Sequence, residues 1–503
     1  MPSTTSIPTS TDTALQSTAN SFSIYYDALQ LGCCTFQTVV QGVFRVELCI
    51  TAPPVCDLHA ASKSGDLSKV KLVLQHGLAV INCQEWIGRT PVMWAAAGRH
   101  IKVVEFLVSK GANLTLVDRF GINILHSACL GGDVKVVKYV LSKNTLDING
   151  RVRCGRTAVM LAADNGHRDV LELLVGRGAN VALTDENGDN FLHCACREGH
   201  AEVVKYILLQ DLVDINSLGH EKKSPVLIAG EQGHTEVVEL LVKHGADLSL
   251  REKSGSNTLH RACYYGQFDV VKHILSLNRV DINCRGYMKR TPVMVAAEQG
   301  YKKIVELLVN HGADLSLREQ SGSNILHNAC YRGQFDVVKY ILSLNRVRIN
   351  SRGYMKRTPV MVAAEHGYKT VVELLVNHGA DLSLREQSGS NILHSACYRG
   401  RFDVVKYVLS LNTVDINSRG WKKRTPVMVA AVQGYKEVVE LLVEHGANLS
   451  LRDDDSKTIV DLVLQGGHSE GKRWLISSNK DTVNRRSSER PKTKSQTLVV
   501  DRI

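Results

Sequence analysis

The same residues return every 67 positions along this chain. His59, His126, His193, His260, His327 and His394 form one such series, and Arg89, Arg156, Lys223, Arg290, Arg357 and Arg424 another. Each 67-residue block is itself two units, since Asn257 to Thr291 is a step of 34 and Thr291 to Asn324 a step of 33. The blocks 256–322 and 323–389 differ at only nine positions. Copies this short cannot each enclose a core. Each must bury its apolar face against the next, so the period predicts stability that sums intrinsic and nearest-neighbour terms.

One unit shows how. Thr291 stands as an N-cap and Pro292 follows at the first helical position, where its missing N–H costs nothing. Ala296 and Ala297 are small enough for a neighbouring helix to come close, and Gly300 is placed to end the helix with positive φ. Ile304, Val305, Leu307 and Leu308 give a second helix an apolar stripe, and Gly312 stops it. The rest, through Gly322, reads as a short hairpin-like loop. Neither helix is long enough to be stable alone.

The chain has 503 residues, with 44% hydrophobic and 22% charged, which excludes wholesale disorder. No stretch of about 18 uncharged apolar residues occurs. The stretch 38–55 comes nearest and is interrupted by Arg45 and Glu47. Residues 1–21 carry no Lys or Arg and lack the apolar core of a secretory signal. With 13 cysteines, an odd number without small-scaffold spacing, this predicts free thiols in a reducing compartment: cytoplasmic, with the nucleus as the alternative. Three regions follow: a Ser/Thr-rich, partly disordered extension (1–54), the repeat array (55–478) and a basic disordered tail (479–503). The alternating run 43–50 fits a strand, a capping helix or a poorly ordered addition equally.

The units resemble the ankyrin-repeat family. Its T-P-L-H motif appears as Thr90-Pro-Val-Met, Thr157-Ala-Val-Met, Ser224-Pro-Val-Leu, Thr291-Pro-Val-Met, Thr358-Pro-Val-Met and Thr425-Pro-Val-Met. Alternate units keep its second half, as in Leu125-His126, Leu259-His260 and Leu393-His394. The V-V-x-L-L-x-x-G-A-D segment recurs at 237–247, 371–381 and 438–448. The resemblance implies an all-α repeat solenoid of about twelve to thirteen helix-turn-helix units joined by β-hairpin-like loops. It implies a scaffold that binds other proteins. Where Met replaces His, the imidazole hydrogen bond between loops is expected only in alternate repeats. Residues 458–478 drift from the pattern and read as a C-terminal cap.

Catalytic and metal chemistry find little support. Helices pack about 8–10 Å apart, so histidines two repeats apart lie on the order of 20 Å from each other, and a zinc ion needs ligands at about 2 Å. Each His is expected to pin loops instead. Cys129, Cys196, Cys263, Cys330 and Cys397 are too far apart for disulfides and are expected as small buried thiols. Glu306, Glu373 and Glu440 fit a solvated helix face. The chain shows no phosphate loop, nucleophile elbow or kinase signature, so it is read as no enzyme, with no cofactor.

Binding is expected at the loop tips and inner-helix ends. The tips carry Arg285, Tyr287, Lys289 and Arg290, then Arg352, Tyr354, Lys356 and Arg357, then Arg419, Trp421 and Lys422. The helix ends carry Tyr331, Arg332, Tyr398 and Arg399. Arg and aromatic residues on a concave surface favour hot spots and suit an acidic, extended protein segment. Reversing charge at Arg352, Lys356 and Arg357 is expected to abolish capture with little change in the melt. The net charge of +11 also leaves a polyanion partner, nucleic acid or an anionic membrane surface, as the less favoured reading. A third reading makes the array part of a larger multidomain signalling protein. The protein is expected to act as a monomer. Arg485-Arg-Ser-Ser resembles a basophilic kinase site, and the terminal Asp501-Arg-Ile suits a carboxylate-binding groove.

Overall fold

The computed structural model describes residues 53–465. The alternating run at 43–50, the basic tail with its two short motifs, and the expected cap beyond Gln465 lie outside the described residues. Among those described are twenty-five α-helices and no strand, only an isolated antiparallel bridge between Arg151 and Thr157. They form two compact units, one ending at Lys253 and the other starting at Ser254. Within each, inner helices pack on one another in chain order and each outer helix packs on the inner helix before it.

Two kinds of inner helix alternate, as the period requires. One begins at an asparagine. Asn257, Asn324 and Asn391 accept the N–H of His260, His327 and His394 at 3.2–3.3 Å, and each imidazole Nδ1 accepts the asparagine N–H in return. This reciprocal box satisfies donors that a helix start otherwise leaves open. The Nε2 atoms of the same histidines lie 3.1, 3.1 and 3.0 Å from the carbonyl oxygens of Arg290, Arg357 and Arg424, and so pin each helix to the loop that follows. His126 and His193 do the same in the first unit, against Gly150 and Ser217.

The other kind begins at Thr-Pro, and here the capping expectation is corrected. Thr291, Thr358 and Thr425 occupy the N-cap position, but their hydroxyls make no cap bond and are buried without a partner. The residue three positions on is a buried methionine, Met294, Met361 or Met428. A thioether offers only a weak acceptor where the motif's imidazole would stand. The threonine is held there by its extended backbone and by Pro at the next position, not by its side chain.

Gly300 and Gly312 are left-handed, as expected, at φ 89° and 90°. On the outer helix Lys302–Asn310 the buried stripe is Ile304, Val305, Leu308 and Val309, with Leu307 only half-buried. Glu306, Glu373 and Glu440 meet Lys302, Lys369 and Lys436 one turn earlier at 3.5–3.7 Å, as a solvated face does. The cysteine series is buried and reduced. Burial pushes those thiols well above their ordinary pKa, and pushes Cys194 up to about 12. Ile459, Leu462 and Val463 of the last described helix, Ile459–Gln465, are buried as well.

Candidate functional site

The loop tips of the second unit are tight hairpins. In the first, the Gly286 N–H donates to the Arg290 carbonyl at 2.8 Å and the Arg290 N–H to the Tyr287 carbonyl at 3.0 Å. The two residues between, Met288 and Lys289, are left-handed at φ 53° and 56°. Met355 with Lys356, and Lys422 with Lys423, repeat that geometry. Asn-Gly is the usual choice for such a turn, and a non-glycine residue in this region costs about 1–2 kcal/mol. Neighbours hold the turns in place. The N–H groups of Gln320, Gln387 and Asp454 donate to the carbonyls of Met288, Met355 and Lys422 at 2.8, 2.8 and 3.0 Å. The loops 318–322, 385–389 and 452–456 are therefore the walls of the tips before them.

The arginines build this frame. Arg285 donates to the carbonyl of Arg318, Arg318 to Arg352 at 2.7 Å, Arg352 to Arg385 at 2.7 Å, Arg385 to Arg419 at 2.8 Å, and Arg419 to Arg452 at 2.5 Å. The arginine before each Thr-Pro is bound more firmly still. Arg290 holds Glu298 and Glu319, both at 2.5 Å, and Arg357 holds Glu365 at 2.6 Å and Glu386 at 2.5 Å. Burial alone would lower the pKa of these two guanidinium groups. The hydrogen bonds and charges of the paired glutamates outweigh it and raise both. Arg424 keeps one such partner, Asp453 at 3.3 Å, because Val432 stands where the other copies have glutamate.

Reversing the charge of Arg357 would thus leave Glu365 and Glu386 buried against a like charge. This corrects the expectation that the reversal spares stability. Arg285, Arg352 and Arg419 each commit a guanidinium N–H to backbone carbonyls of the neighbouring loops, and Arg290 and Arg357 commit theirs to the buried glutamates. Tyr287, Tyr354 and Trp421 are 58%, 60% and 57% exposed, beside the exposed Lys289, Lys356 and Lys422. At the helix ends Tyr331 and Tyr398 are exposed too. Arg332 and Arg399 lie 3.7 Å from Glu298 and Glu365, and each covers the ring before it. Met288, Met355 and Lys423, which stand in the same tips but outside the expected contact set, complete the exposed surface. Their left-handed backbone left no glycine as a signal.

Between the last two tips the structure holds a cleft of about 280 Å³, lined among others by Met355, Glu386, Ser390, Tyr398, Trp421 and Arg424. The Arg424 guanidinium and the Lys422 ammonium lie 5.5 and 5.1 Å from the Trp421 ring, within cation–π range. His327 and His394, beneath the tips, are held neutral by burial to about pH 4 against their carbonyl hydrogen bonds. Among the described residues no three His, Cys, Asp or Glu side chains are grouped as a metal ion would need.

Stacked helix pairs, Thr-Pro starts and hairpin tips together define a repeat-built binding scaffold. A family model of ankyrin repeats, in sets of three copies, matches residues 58–152, 125–218, 192–286, 259–353, 344–420 and 410–486, and the chain belongs to the ankyrin-repeat family. It is 24% identical over 473 residues to the human transient receptor potential cation channel subfamily A member 1, covering 84% of this chain and 42% of the channel. It is 25% identical to the E3 ubiquitin-protein ligase KEG of Arabidopsis thaliana, over 70% of this chain and 21% of the ligase. The chain thus spans less than half the length of these relatives. The human ASB11 ankyrin repeat domain is 25% identical, with a TM-score of 0.38, and matches 42% of this chain and 96% of its own.

Proposed function

We propose that this protein is a non-catalytic scaffold that captures an extended segment of another protein on the hairpin tips of its second unit. One observation carries the reading: three successive tips present an exposed aromatic ring, Tyr287, Tyr354 or Trp421, on turns whose strain the neighbouring loops absorb. A preformed, rigid contact surface loses little entropy on binding. Aromatic side chains with adjacent cations are what interface hot spots use. The contacts are Tyr287, Lys289, Tyr354, Lys356, Trp421 and Lys422, with Tyr331, Arg332, Tyr398 and Arg399 behind them. The bonded arginines set their spacing. The partner is an acidic segment, and the protein works as a monomer. The nine cysteines whose side chains are described are free thiols, which supports a cytoplasmic setting.

The large uncovered share of its relatives supports a second reading, in which the array is the docking part of a multidomain protein. Affinity capture from native cells tests the site. Tyr287→Ala, Tyr354→Ala and Trp421→Ala together are expected to lose the captured partner with an unchanged circular-dichroism melt. Retention of the partner by the triple variant would remove these tips from the interface.

A further inference from the structure

The three tips are copies, yet one of them already holds acidic side chains. In the third, Lys423 Nζ lies 2.9 Å from Asp454 and Lys422 Nζ lies 3.7 Å from Asp455. Asp454 and Asp455 stand where the other copies have Gln320 and Ser321, or Gln387 and Ser388. Lys289 and Lys356, the counterparts of Lys423, make no ion pair with any described residue. The backbone around all three is the same, down to the N–H of the wall residue donating to the tip carbonyl. The third tip therefore shows a carboxylate seated against this turn, on a wall residue that in the other two copies is an uncharged amide.

We propose that the tips at 287–289 and 354–356 are receptors for acidic side chains of an extended polypeptide, and that Asp454 and Asp455 close the third copy from within. This deepens the docking face just proposed and rests on it. Two open tips separated by two repeats lie on the order of 20 Å apart. An extended chain rises about 3.3 Å per residue, so the acidic residues recognised are about six positions apart. That spacing selects a polypeptide over a nucleic acid. A nucleic-acid strand carries a phosphate every few ångströms and is held by dense cations. Here Arg290 and Arg357 are already neutralised by Glu298, Glu319, Glu365 and Glu386, which leaves the lysines isolated. The exposed Tyr287 and Tyr354 rings add an apolar contact beside each acid.

The test titrates the full chain with a fluorescein-labelled poly-glutamate peptide of about twelve residues, long enough to reach both tips. Gln320→Asp with Gln387→Asp copies the closed state and is expected to weaken binding about tenfold. Asp454→Gln with Asp455→Ser opens the third tip and is expected to tighten it several-fold, with both thermal melts unchanged. Equal affinity in all three proteins, or no binding to the wild type, overturns the inference. Loss of binding only in the Tyr287→Ala, Tyr354→Ala and Trp421→Ala protein overturns it too but keeps the docking face. A single-stranded DNA oligonucleotide that responds to the charge variants as strongly as the peptide overturns the choice of a polypeptide.

Discussion

Both units solve one local problem with different chemistry. The turn between inner and outer helix carries a left-handed glycine, and a side chain from the next repeat lies across it. In the first unit that side chain is histidine. His100, His167, His200 and His234 cover Gly65, Gly132, Gly166 and Gly199, and each Nε2 lies 2.9–3.1 Å from a carbonyl of the preceding repeat. In the second unit Tyr301, Gln334, Tyr368, Arg401 and Tyr435 cover Gly266, Gly300, Gly333, Gly367 and Gly400. Gln334 and Arg401 keep a bond to a carbonyl, that of Glu298 and of Glu365. The position demands a side chain laid over a bare backbone, a ring, an amide or the stem of Arg401, and the hydrogen bond is secondary.

The sharpest way to break that equivalence is to add a Cβ. In Gly333→Ala it would fall 2.4 Å from the Tyr368 ring, and in Gly199→Ala 2.4 Å from the His234 ring, both at positive φ. Each is expected to lose roughly 3 kcal/mol or more in denaturant unfolding. Gly379→Ala, left-handed but with nothing within 4 Å, is expected to lose only about 1–2 kcal/mol. Equal losses at Gly333 and Gly379 would show that the covering ring is irrelevant.

Acid provides the next effect. His327 and His394 stay neutral in the folded protein to about pH 4, whereas the unfolded chain takes up protons near pH 6.5. Protonation therefore favours the unfolded state. Stability is full above pH 6.5 and falls as pH drops from 6.5 to 4, by up to about 3 kcal/mol per histidine. His126 and His193 are also lowered, by burial, and act in the same direction in the first unit. Melts of His327→Gln with His394→Gln are expected to be flatter across that window.

Arg357→Ala is expected to cost about 2–4 kcal/mol, because Glu365 and Glu386 both lose their cation. Arg424→Ala, with one acidic partner, is expected to cost less. The smallest effects separate the two kinds of helix start. Asn391→Ala removes a reciprocal box and is expected to cost about 1–2 kcal/mol. Thr358→Val removes a hydroxyl that bonds to nothing and is expected to be neutral or slightly stabilising.

Much of this was legible in the residues. The step between His260, His327 and His394 located the imidazoles that pin each loop, and Gly300 and Gly312 marked the left-handed stops. The site was legible only as composition. Arg290 and Tyr287 look equally available in a string of letters. Their fates diverge because Arg290 meets Glu298, eight residues on, and Glu319, 29 residues on, and neither pair lies within one helix. The loops at 318–322 and 385–389 each carry one Arg and one Glu, a composition that marks nothing, yet they wall the tips.

The sequence by itself determined the repeat, the helix pairs, the buried thiols and the family, since each follows from local propensity or from periodic spacing. Only the tertiary structure decided which cations are already bonded, which turns are strained, and which of three copied tips already holds a carboxylate. Those outcomes depend on one loop meeting the next, and such a contact is written in no single stretch of chain.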